Sequence, residues 1–111
     1  MYESSGTLRV RVFTAGGALP ISDAVIRLFG SDEENLGFAA SRITDRDGVS
    51  VFSELPAPPI KYSMAPNPTE RPFSTYRMEV FAEGYSEKLI NEITVFSGIE
   101  SYQPVNLLPK L

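Results

Sequence analysis

Thr44-Asp45-Arg46-Asp47-Gly48-Val49-Ser50-Val51-Phe52, taken with Glu79-Val80-Phe81-Ala82-Glu83-Gly84-Tyr85, decides the reading of this chain. The first stretch is a tight turn running into a short strand. Asp45 and Asp47 carry side chains that bond backbone N–H groups two residues on, and Gly48 takes a positive φ without a Cβ penalty. We expect Val49 to Phe52 to be the return strand of a hairpin. The second stretch is a strand that ends in a corner at Gly84 and Tyr85. Both are the punctuation of a small β-sandwich.

Working outward, Thr7 to Thr14 alternates, with Leu8, Val10 and Val12 on one face and Arg9 and Arg11 on the other. A period of two with β-branched residues predicts a half-buried strand. Ala15 to Pro20 is expected to be a loop. Ala24 to Phe29 predicts a second strand with Ala24, Ile26 and Leu28 on one face, and Gly37 to Thr44 a third. Thr75 to Ala82 is the clearest strand, Tyr76, Met78 and Val80 alternating with Arg77, Glu79 and Phe81. Glu87 to Phe96 predicts two short strands or one bent at Asn91-Glu92. Glu100 to Leu108 is the last, with Pro104 marking an edge or bulge. Seven short strands and no sustained helical period predict an all-β sandwich of about seven strands, one domain spanning residues 1–111.

Residues 54–72 hold six of the nine prolines. Proline cannot donate to a ladder, so this segment is expected to be an extended surface excursion. Tyr62, Pro66, Pro68 and Phe73 are the expected partner surface, because a proline-rich backbone is already ordered before it binds. Tyr62 and Phe73 are also the aromatic pair available to stack on sugar.

Composition removes several classes of function. Histidine and cysteine are both absent. With them go the commonest general base, the thiolate nucleophile and the usual zinc ligands. The net charge of −4 argues against nucleic acid and anionic lipid as partners. Residues 1–6 have no basic or apolar run, so no signal peptide is expected in the chain, and no stretch is apolar for the roughly 18 residues a membrane span needs. Asp45 and Asp47 lack the distal ligands of a calcium loop, since the twelfth position from Asp45 is Pro56. Asp32, Glu33 and Glu34 read as a solvated charge run in a turn. We therefore expect no catalytic residue, no metal and no cofactor.

The order of Pro20 to Leu28, Thr44 to Gly48 and Tyr76 to Tyr85 resembles the carboxypeptidase regulatory-like domain, a transthyretin-like (prealbumin-like) sandwich. Val95 to Ile99, Val105 to Pro109 and the proline-rich insert are similar to the N-terminal domain of clostridial spore-cortex-lytic and peptidoglycan-binding proteins. The resemblance implies a non-catalytic accessory module of a bacterial cell-wall or spore-associated protein. Its partner would be protein, either an adjoining domain or a neighbouring chain, with cell-wall glycan as the alternative. Hydroxyisourate hydrolases share the fold but rely on histidines and a Tyr-Arg-Gly-Ser tail, neither of which this chain has. Related Gram-positive sandwiches form a lysine–asparagine isopeptide from the first strand. Arg9 and Arg11 stand there instead, and a guanidinium stays protonated.

Overall fold

A computed structural model describes residues 4–58 and 73–110. Among these residues eight strands build two sheets. They are β1 (Ser5–Thr14), β2 (Leu19–Pro20), β3 (Val25–Gly30), β4 (Ala39–Ile43), β5 (Val49–Pro56), β6 (Ser74–Phe81), β7 (Lys88–Val95) and β8 (Glu100–Asn106). The first sheet centres on β1, which pairs antiparallel with β5 and the short β2, and parallel with β8. The second is antiparallel in the order β4-β3-β6-β7. The architecture is the expected all-β sandwich, with one strand more than the alternation predicts: Leu19–Pro20, expected as loop, pairs with Phe13 and Thr14.

Period-two burial puts one row of β1, β3, β5 and β6 inside, while β2 and β4 bury no residue fully. Leu8, Val10, Val12, Phe52, Leu55, Val105 and Leu107 of the first sheet meet Ile26, Leu28, Tyr76, Met78, Val80, Ile93 and Val95 of the second in one cluster. The bend expected at Asn91-Glu92 is a β-bulge. Tyr76 pairs with Ile93 and Met78 with Ile90, so two residues of β7 oppose Arg77. Glu92 sits at φ 58 to make it.

Two expectations need correction. The turn at Asp45 to Gly48 does not close a hairpin. β4 belongs to the second sheet and β5 to the first, so the turn is a corner that carries the chain across the sandwich. Its local chemistry is as the residues dictate: Asp45 Oδ1 accepts from the N–H groups of Asp47 (2.9 Å) and Val49 (3.0 Å), and Gly48 lies at φ 76. A corner follows because Leu8, Val10 and Arg9 present a long ladder to β5, and β3 and β4 already pair over five residues. The strand also runs further than Phe52. Glu54 at φ 57 bulges opposite Thr7, so Leu55 and Ala57 stay buried and Pro56 still pairs with Ser5. The proline-rich segment thus begins inside the sheet; Tyr62, Pro66 and Pro68 lie outside the described residues.

Among the described residues, β8, β5, β7 and β4 each lie at a sheet edge and carry a feature that discourages further pairing. The Thr7 N–H donates to the Ile99 carbonyl at 3.1 Å and the Leu107 N–H to the Phe13 carbonyl at 2.8 Å. Alternation then turns Pro104 to the side of β8 away from β1, where its missing N–H costs no bond of the β1–β8 ladder. The Ala57 N–H donates to the Ser4 carbonyl at 3.0 Å, which turns the Pro56 nitrogen away from β1 in the same way. β7 is bent by its bulge. On β4, Arg42 pairs with inward-facing Ile26 and lays its guanidinium over the Phe52 ring, 5.3 Å from the centroid.

Candidate functional site

The acidic run reads differently once folded. Asp32 is buried, only 6% exposed, rather than solvated. Its Oδ1 accepts from the N–H groups of Glu34 (2.9 Å) and Asn35 (3.2 Å), and its Oδ2 from that of Thr75 (2.8 Å). Asn35 Oδ1 accepts from the Asp32 N–H at 2.9 Å, and its amide donates to the Thr75 carbonyl at 3.0 Å. Asp32 and Asn35 thereby fasten the β3–β4 loop to the start of β6. A carboxylate with this many donors belongs to the structure of the loop, while Glu33 and Glu34 stay exposed. The signal available in the sequence was the Asp-x-x-Asn spacing in a turn.

Thr44 performs a similar service at the other end of β4. Its hydroxyl donates to the Ile21 carbonyl at 2.8 Å and accepts from the Ala24 N–H at 2.9 Å. Tyr76 is fully buried, and burial pushes its phenol up to about 12, with a side-chain hydrogen bond from Asn35 opposing and the charge of Asp32 adding. It faces the core and lines neither the groove beside Phe73 nor the depression beside Tyr85. Gly84, at φ 85, makes the expected corner, and Tyr85 forms an isolated bridge with Pro109.

Phe73 is the one residue of the expected partner surface that the structure describes. Its ring packs against Phe96, centroids 5.6 Å apart and planes tilted by 56°. Phe73 lines a groove of about 540 Å³ over the outer face of β6 and β7, together with Ser31, Thr75, Arg77, Asn91, Glu92 and Thr94. Arg77 is held there over the Phe29 ring, 4.4 Å from its centroid, with Glu79 at 3.7 Å. Ser31 donates to the Thr75 hydroxyl at 3.0 Å. The β7 bulge brings Asn91 and Glu92 to the same groove. A second depression of about 370 Å³ lies beside Tyr85, between Asp23, Glu83, Glu87 and Lys110. Among the described residues no cluster of three or more acidic side chains is placed to hold a metal ion. On β1, Arg9 meets Glu100 at 3.2 Å and Arg11 donates to the Gly17 carbonyl at 3.1 Å.

No family model matches the chain, and no curated protein matches it. Solved structures do. The Bacillus anthracis TIE protein superposes with a TM-score of 0.63 at 18% identity, over 96% of this chain and 17% of that one. The group B streptococcus pilus 2b backbone protein gives 0.59 at 14% identity, over 94% of this chain and 41% of that one. Hydroxyquinol 1,2-dioxygenase from Pseudomonas putida DLL-E4 gives 0.64 at 10% identity, over 99% and 58%. The chain is thus similar in fold to a part of each, one of them a pilus protein by name and one an enzyme. At these identities the likeness is one of fold alone.

Proposed function

We propose that this domain is a non-catalytic structural and protein-interaction module of a bacterial cell-wall or spore-associated protein, of the carboxypeptidase regulatory-like kind. The observation that carries the reading is where the buried polar groups go. Asp32, Asn35, Thr44 and Tyr76 all bond backbone groups across elements, and none of them lines the groove beside Phe73. These four buried polar side chains serve rigidity. The similarity in fold to a pilus backbone protein supports a structural role. Its partner is protein, an adjoining domain or a neighbouring chain, met at the surface around Phe73.

Cell-wall glycan is the second reading, and the groove favours it. Arg77, Asn91 and Glu92 are planar donors and acceptors beside an aromatic ring, the equipment that fixes a polar ligand. The tilted packing of Phe73 on Phe96 counts against a flat sugar platform. A photo-cross-linking residue at Phe73 in the full-length protein, in its host cell, separates the readings. A cross-link to one protein species supports the module. Saturable calorimetric binding of peptidoglycan fragments, lost in Arg77→Ala, replaces it with the glycan reading.

A further inference from the structure

The first and last strands of the described chain lie side by side and run the same way. From this we propose a further function: the domain withstands tension along its chain, and the parallel pair β1–β8 is the element that resists. Seven residue pairs join them, from Thr7↔Glu100 to Phe13↔Asn106. In a parallel pair the start of one strand and the end of the other sit at opposite ends of the ladder, here about 20 Å apart at ~3.3 Å per residue. Chain pulled outward before β1 and after β8 therefore slides the two strands along each other. The ladder bonds are stretched together and must fail together. Were the pull applied at one end of the pair, the same bonds would open one after another.

Both strands are anchored against sliding. β1 is held on its other side by β5, from Ser5↔Pro56 to Arg11↔Val49. Val105 and Leu107 of the C-terminal segment are 1% exposed, in the same core cluster as Leu8, Val10 and Val12. A slip of one residue would turn that row to the opposite face. The Thr14 hydroxyl donates to the Leu107 carbonyl at 2.8 Å, a bond between the two strands' ends.

Force also enters through paired backbone. Before the ladder, the Gly98 N–H donates to the Ser5 carbonyl at 2.9 Å and the Ala57 N–H to the Ser4 carbonyl at 3.0 Å. Beyond it, the Ser86 N–H donates to the Leu108 carbonyl at 2.8 Å and the Lys110 N–H to the Gly84 carbonyl at 2.9 Å, tying the segment after β8 to the second sheet. Arg9 and Glu100 bridge the two strands on the outside at 3.2 Å, a half-exposed ion pair that adds little. The resistance is non-covalent, so the domain yields above a threshold and refolds when the force drops.

The inference rests on reading the domain as a structural module, and its test is independent of any partner. Single-molecule force spectroscopy on the full 111-residue chain compares two pairs of handles at exposed positions. Ser5→Cys with Lys110→Cys loads the pair in sliding, and Ser5→Cys with Glu100→Cys peels it from one end. Circular dichroism confirms that both variants are folded. At one pulling speed the first pair is expected to need a several-fold higher unfolding force. Equal forces, or a lower force for the first pair, overturn the proposal and leave the protein-partner reading standing. A failed cross-link at Phe73 beside a high sliding force would overturn the partner and keep the mechanical role.

Discussion

The Tyr76 hydroxyl donates to the Pro56 carbonyl at 2.6 Å, a bond that crosses the sandwich from one sheet to the other. Tyr76 stands on β6 and Pro56 at the end of β5, so the bond fixes where the first sheet stops against the second. The ring is wedged edge-on against Phe38, centroids 5.6 Å apart at 81°.

Tyr76→Phe keeps the ring and removes the donor. The Pro56 carbonyl then loses its partner in a buried site, at a cost of about 1–3 kcal/mol. Urea denaturation is the measurement, with the midpoint falling and the slope unchanged. A midpoint equal to that of the parent chain would mean that water takes over the carbonyl.

The same phenol gives stability a dependence on alkaline pH. Burial raises it from 10.0 to about 12, so between those values the folded chain keeps a proton that the unfolded chain has released. Stability contributed by this group is fully present below about pH 10 and is lost as pH rises toward about 12. Melting temperature followed through that window should decline in the parent chain and decline less in Tyr76→Phe. Parallel curves would remove Tyr76 as the cause.

Asp32→Ala and Glu33→Ala are neighbours of opposite consequence. The first removes the carboxylate acceptor of the Glu34 and Thr75 N–H groups, while the Asn35 N–H keeps the Asp32 main-chain carbonyl at 3.2 Å, and a hydrogen bond to a charged group is worth roughly 1.5–3 kcal/mol. The second removes an exposed carboxylate, with an effect within about 0.5 kcal/mol. Equal midpoints in urea would return Asp32 to the role of a solvated charge.

Gly48→Ala should cost more than Gly37→Ala. A Cβ on Gly48 would collide with the Val12 carbonyl oxygen, and the residue lies at φ 76. At Gly37 nothing lies within 4 Å of the added carbon. Strain of order 1–3 kcal/mol attaches to the first alone. Thermal melting of the two variants decides it, and equal losses would mean that the corner relaxes.

Arg42→Val tests the guard on β4. Among the described residues β4 pairs with β3 alone, and Arg42 lays its charge over Phe52 at that edge; valine there removes the charge and leaves Ser41 as the strand's one polar side chain. The variant is expected to shift from monomer toward dimer and larger species in light scattering as concentration rises, while the parent chain stays monomeric. A variant as monomeric as the parent would show that other features protect this edge.

Alternation in the sequence by itself determined most of the strands and their buried faces, though not Leu19–Pro20 or the end of β5. Leu8, Val10 and Val12, or Tyr76, Met78 and Val80, declare a buried row because a strand's side chains repeat every two residues. The corner chemistry of Asp45 and Gly48 was equally local, since an aspartate bonds its own neighbours and a glycine needs no context to accept positive φ. The tertiary structure alone decided which strands pair. Whether Val49 returns along β4 or crosses to β1 depends on ladders formed by residues far apart in the chain, and a turn is compatible with both. The same holds for Asp32, whose third donor comes from Thr75, 43 residues away, and so whose burial no window of sequence records. The parallel contact of β1 with β8, some 90 residues apart along the chain, is likewise a property of the closed sandwich. Two half-buried strands carry no mark of each other until the core between the sheets brings them together.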